Sequence, residues 1–176
     1  MRKIAFVGLI VGLLSLSAFA GESDHPKAEF YGGYQYTHAS IDGTGISFNG
    51  FDFGATANLN NYFGITADFG SGFKSENGAS LNNYTYTFGP QLALRANKGY
   101  TPFVHALIGG DHMTFGALGL GSGSQNGWAM LAGGGVDINM NRYAAVRAGA
   151  DWMMFHGSGQ TFSKNFRMPV GIVFKF

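Results

Sequence analysis

The sequence predicts an all-β fold: an eight-stranded, antiparallel, up-and-down transmembrane β-barrel. Three observations lead there. The last eleven residues alternate without a break. Phe166, Met168, Val170, Ile172, Phe174 and Phe176 fall on one face of an extended strand, and Arg167, Pro169, Gly171, Val173 and Lys175 on the other, so one side meets an apolar medium and the other a polar one. Seven earlier segments repeat this period of two. Across all eight, nearly every charge lies on one face and the opposite face is almost continuously apolar. A soluble lipocalin-like barrel is the alternative. It would have to bury those charges, or coat itself in Phe, Leu, Ile and Val and stay dissolved. A membrane barrel also explains an aromatic strand at the end of the chain, because its last strand closes against its first.

The 176 residues suffice for one domain. Residues 1–20 read as a Sec-type signal peptide, with Arg2 and Lys3 before an apolar run over 4–16 and Ala18-Phe19-Ala20 as a small-x-small cleavage site. The barrel is then 21–176. Without Arg2 and Lys3, nine basic residues face ten acidic ones. That balance offers nothing to nucleic acid. Cysteine is absent, so stability must come from pairing every strand edge rather than from disulfides. Past residue 20 no apolar stretch approaches the ~20 residues of a membrane helix, so any crossing of a lipid bilayer is made by strands. The 29 glycines and 17 phenylalanines suit a narrow lumen inside aromatic belts.

The strands follow in order. The first, about 28–37, points Phe30, Tyr34 and Tyr36 outward and Glu29, Tyr31 and Gln35 inward. The second, about 48–59, sets Phe51, Phe53 and Leu59 against Asp52, Thr56 and Asn58. The third, about 62–70, sets Phe63, Ile65 and Phe69 against Thr66 and Asp68. The fourth, about 81–96, sets Tyr84, Tyr86, Phe88, Leu92 and Leu94 against Thr85, Thr87, Gln91 and Arg95. The fifth, about 101–115, is less regular, with Val104, Ala106 and Ile108 outward and His105, Leu107 and Asp111 inward. The sixth, about 127–140, sets Trp128, Met130, Val136 and Ile138 against Gly133, Gly135, Asp137 and Asn139. The seventh, about 143–156, sets Val146, Trp152 and Met154 against Arg147 and Asp151. The eighth is the terminal strand. Connections at 60–61, 97–100 and 141–142 are short, whereas those at about 40–47, 72–80, 116–126 and 157–161 are longer and polar. Short turns at one end and longer loops at the other put both termini at the periplasmic, short-turn end of an outer-membrane barrel.

The inward charges are the first candidate site: Glu29, Asp52, Asp68, Asp111, Asp137 and Asp151 with Arg95, Arg147, Arg167 and Lys175. An eight-stranded lumen is only wide enough for its own side chains, and interior charges persist when paired. These residues therefore predict a plug of ion pairs, with Arg147 and Arg167 at its centre. A narrow ion pathway lined by the same groups is the alternative. Tyr62, Tyr100 and Tyr143 at the turn end, and Trp128 and Trp152 toward the loop end, read as interface aromatics that anchor the barrel in lipid. The five histidines, His25, His38, His105, His112 and His156, lack the close spacing of a metal site. The glycines of 119–123 have no βαβ unit around them to make a dinucleotide site. No metal or cofactor is expected, and the sequence names no ligand for the loops.

Phe30-Tyr-Gly-Gly-Tyr34, Thr101-Pro-Phe-Val104, Gly133-Gly-Gly-Val-Asp137 and the terminal Phe174-Lys-Phe176, in this order and with this strand count, resemble the small outer-membrane β-barrel family of OmpA-type transmembrane domains and opacity-type, porin-like proteins. The resemblance covers most of the chain after residue 20. It implies an integral protein of the cell outer membrane with a structural or surface-interaction role in the envelope, as a monomer, and a weakly conducting pore as the runner-up. Nothing follows Phe176, so no OmpA-type peptidoglycan-binding domain is expected, which removes the tethering role the resemblance would otherwise imply. Ile172, Phe174 and Phe176 look like the signal that the barrel-assembly machinery reads. His156 and Ser158 resemble the catalytic pair of outer-membrane lipid A deacylases, which need a carboxylate to orient the histidine. That family places a glutamate after the serine, and here neither Glu nor Asp follows Ser158. The expectation is therefore no enzyme.

Overall fold

The computed structural model describes residues 25–41, 44–76, 79–117, 121–157 and 160–176. Its eight strands are β1 (Ala28–Ile41), β2 (Thr44–Asn58), β3 (Phe63–Glu76), β4 (Ala79–Ala93), β5 (Tyr100–Ala117), β6 (Gly121–Asn139), β7 (Ala144–Gly157) and β8 (Gln160–Lys175). Each pairs antiparallel with the next, and β1 pairs with β8 to close the barrel. The closing register sets Phe30 across from Phe174 and Glu29 across from Lys175, so the aromatic and charged faces of the two strands continue one another around the seam. Phe176 completes the seam beyond β8. Its carbonyl accepts from Lys27 N and Ala28 N, its own N–H donates to Ala28 O, and its ring meets Phe30 edge-on at 5.8 Å.

The two faces separate as the alternation predicts. Phe51, Phe53, Phe88, Val104, Ile138 and Phe174 are exposed around the outside, while Asp52, Asp68, Asp137, Arg147, Asp151 and Arg167 are buried inside. This is the distribution for a barrel whose solvent outside is hydrocarbon.

The short turns share one device. Asn60 Oδ1 accepts from Tyr62 N and Phe63 N, Asn141 Oδ1 from Tyr143 N and Ala144 N, and Asn97 Oδ1 from Gly99 N. An Asn side chain accepting from backbone N–H groups two or three residues on holds a tight reversal that the backbone alone would leave open.

The other end differs from the sequence reading. The polar segments expected as loops at 40–47, 72–80, 116–126 and 157–161 lie in large part within strands. The ladders between β1 and β2, β3 and β4, and β5 and β6 run out to Ile41 and Thr44, Glu76 and Ala79, and Ala117 and Gly121. Apolar alternation marks only where a strand meets lipid. Ladder hydrogen bonds are made by the backbone and continue through Gly, Ser and Asn once the strands stand in water. At the opposite end β4 stops at Ala93, so Leu94 and Arg95 lie beyond the strand in which the sequence places them.

Candidate functional site

The lumen holds two ion-pair clusters. The first lies toward the short-turn end and begins with directly cross-strand neighbours, Asp137 on β6 and Arg147 on β7. Arg147 Nε is 2.7 Å from Asp137 Oδ1 and Nη2 is 2.9 Å from Oδ2, a two-pronged contact of the kind that fixes a guanidinium in one plane. Across the lumen Arg147 reaches Glu29 Oε2 at 3.6 Å, and Arg95 donates to Glu29 Oε1 at 2.9 Å. Arg95 also donates to Asn58 Oδ1 and Asn61 O, which holds it over the lumen even though it stands outside β4. The Arg147 guanidinium lies 4.3 Å from the ring centre of Phe103 and 5.1 Å from that of Tyr31, faces that attract a cation.

The second cluster centres on Arg167, which is 1% exposed. Its Nε and Nη2 donate to Asp151 Oδ2 at 2.8 and 2.7 Å, and its Nη1 reaches Asp68 Oδ1 at 2.9 Å and Asp52 Oδ1 at 3.4 Å. One guanidinium on β8 thus ties β2, β3 and β7 together. Asp151 Oδ1 is 2.8 Å from His105 Nε2, which extends the cluster to β5. A cavity beside Asp68, Asp151, Arg167 and His105 measures about 10 Å³, at the lower limit for a single water.

Two of the inward charges stand apart from these clusters. Lys175 donates to Asn139 Oδ1 at 2.6 Å, so an amide rather than a carboxylate is its hydrogen-bonding partner. Asp111 is buried, yet among the described residues no hydrogen bond or ion pair reaches its carboxyl. Its cross-strand neighbours are Thr85 and Gly127, and the basic group that acts on it, His112 next along β5, makes no ion pair with it.

The lumen also contains apolar groups that a reading based on charge alternation misses. Leu107, Ala129, Leu131 and Met153 form a buried cluster with Phe155 against it, and Tyr31, Ala145 and Val173 form another. Inward Leu107 and Leu131 are visible in the sequence as breaks in the polar face. Inward Phe155 is visible in the same way, since it stands at two-residue steps from Arg147, Asp151 and Met153 on β7, while the β7–β8 register shifts between Met153 and Phe155. On the loop side of Arg167 the lumen opens into a cavity of about 170 Å³ lined from all eight strands, with Phe48, Met113, Phe155 and Phe162 among its walls.

On the outer surface, Tyr62 and Tyr143 immediately precede β3 and β7, and Tyr100 opens β5. All three are exposed, and Arg142 lies over the Tyr143 ring at 4.5 Å. Trp128 falls well inside β6 rather than at its start, its ring tilted against that of His156 with ring centres 5.3 Å apart. Trp152 Nε1 donates to Ser163 O. His156 Nδ1 pairs with Thr161 Oγ1 at 2.7 Å. Ser158 and the segment 1–20 lie outside the described residues. Among the described residues no group of three or more His, Cys, Asp or Glu is placed to hold a metal ion.

A family model described as outer membrane protein beta-barrel domain matches residues 6–174. Among solved structures the chain is similar to neisserial surface protein A, with a TM-score of 0.74 at 11% identity over 85% of this chain and 97% of that one. It is also similar to Ail, the attachment invasion locus protein of Yersinia pestis, with a TM-score of 0.64 at 18% identity over 86% and 99%. OprG, an outer membrane protein of Pseudomonas aeruginosa, matches with a TM-score of 0.62 at 13% identity over 88% and 97%. At these identities the likeness is one of fold. The search of curated proteins finds no match.

Proposed function

The chain belongs to the family of outer membrane protein β-barrel domains, and from that premise we propose that it serves the envelope as a closed structural or surface-interaction barrel rather than as a conduit. It is an integral β-barrel protein of the cell outer membrane. One observation carries the closed reading: Arg167 bridges Asp52, Asp68 and Asp151 across the axis, with a cavity of only about 10 Å³ against it. A hydrated ion needs a continuous aqueous path, and a fixed guanidinium gripped by three carboxylates interrupts one. The reading also takes residues 1–20 as the export signal, Ile172, Phe174 and Phe176 as the assembly signal, lipid as the partner of the outer face, and the monomer as the working unit. It assigns the chain no catalytic step.

The test is conductance of the refolded barrel in a planar bilayer, run beside a heat-modifiability gel. A heat-shifted band with a silent bilayer is the expected result. Stable current steps that change size in Arg167→Ala or Arg147→Ala would overturn the closed barrel in favour of the pore.

A further inference from the structure

We propose that the lumen cavity beneath the loop ends binds a small organic cation with an apolar body: an amine carrying one ring or a short alkyl chain. The site lies on the loop side of the Arg167 cluster and stands whether or not the lumen conducts.

Size comes first. The cavity is about 170 Å³, close to the roughly 150 Å³ of an apolar protein cavity that takes up benzene. Its lining residues all lie within six residues of the loop ends of their strands. Chemistry comes second. Phe48, Met113, Phe155 and Phe162 offer walls on which water finds no hydrogen bonds. Into this apolar space are set three polar groups without partners. Asp111 is 7% exposed and unpaired among the described residues. Thr37 Oγ1 and Asn83 Nδ2 are likewise buried with no hydrogen-bond partner. A buried carboxylate without an ion-pair partner is costly. His112, next along β5, acts on Asp111 only from beyond ion-pair distance, whereas every other buried acid among the described residues touches a cation or shares one. An ammonium group would give Asp111 what Arg167 gives Asp68. The phenylalanine faces favour the same charge, and Asp111, the one charged group on this cavity's wall among the described residues, repels anions. The ligand does not arrive as a lipid chain, because the cavity lies on the axis and the whole barrel wall separates it from the bilayer.

The experiment titrates benzylamine into the complete barrel, refolded in lipid nanodiscs with ¹³C-methyl methionine, and follows the methyl resonances by NMR. A saturable shift at Met113 is expected. The apparent Kd should weaken at least tenfold in Asp111→Asn, and benzyl alcohol should bind the parent at least tenfold more weakly than benzylamine. Ala39→Leu, which fills the cavity without touching the carboxylate, should abolish the shift, and it serves also if Asp111→Asn fails to fold. Three results would each overturn the proposal: no shift at Met113, a shift that Asp111→Asn or Ala39→Leu leaves unchanged, or non-saturating shifts spread over the lipid-facing Met130 and Met168, which report partition into the bilayer.

Discussion

At the scale of single residues, the lumen is held by pairings that lose more when halved than when removed together. Arg167→Ala leaves Asp52, Asp68 and Asp151 buried around an empty centre, and breaking a buried pair in this way costs about 3–5 kcal/mol. The expected outcome is a marked fall in the urea concentration at which the refolded barrel loses its heat-modifiable band. The double variant Arg167→Ala with Asp68→Asn should lose less than the sum of the two single variants, because each single change already removes the Arg167–Asp68 contacts at 2.9 and 3.3 Å. Additive losses would show that the two residues act independently. The charged members of this network were legible in the sequence, because a charge on the inward face of an amphipathic strand has nowhere to go but the lumen. Their grouping was not. Which carboxylate meets which guanidinium depends on barrel tilt and stagger, so Asp111 reads like Asp137 in the sequence yet ends beside Thr85 and Gly127 with no guanidinium.

At the scale of elements, the strands are set by alternation, the short turns by asparagine, and close interstrand contact by glycine. Asn60→Ala and Asn141→Ala each remove an acceptor for two backbone N–H groups. Each should cost about 0.5–1.5 kcal/mol in equilibrium urea unfolding, and Asn97→Ala, with one such bond, should cost less. Gly133→Ala should be worse. A Cβ there would stand 2.2 Å from Asp151 Oδ1 and 2.4 Å from Ala150 O, so it pushes on the carboxylate that holds Arg167 and His105. Overpacking of this kind costs about 1–3 kcal/mol. Gly116→Ala meets Ser80 Oγ at 3.3 Å as its nearest neighbour and should be tolerated. Equal stability of the two variants would refute the role given to Gly133. Strand count and facing were legible because lipid imposes a strict period of two. The loop-side strand ends were not, since in water that period lapses while the backbone ladder continues.

At the scale of the whole molecule, closure rests on the β1–β8 ladder from Glu29 and Lys175 to His38 and Phe166, which Phe176 extends at the end of the chain. Phe176→Ala removes the edge-on contact with Phe30 and should lower stability by about 0.5–1.5 kcal/mol while leaving the closing backbone bonds in place. Deleting Phe176 also removes the three backbone bonds it makes with Lys27 and Ala28. A lower folded fraction for the deletion than for the substitution, read from the heat-shifted band after refolding into vesicles, is the expected result. Equal fractions would mean that the side chain alone matters. The length of the strands has a different consequence. β5 and β6 span 18 and 19 residues, roughly 45 Å of height at about 3.3 Å per residue and a tilt of about 40°, against an apolar band of about 25 Å. Selection therefore meets each long hairpin as two separate objects. In the band, a substitution must satisfy hydrocarbon on one face and the plug on the other. Above it, the inward side chains still line the cavity, but the outward ones meet water and leave only the ladder bonds, which are blind to side-chain identity. The outward positions of the protruding tips can change, or the tips accept a grafted peptide, while the part that folds in lipid stays as it is.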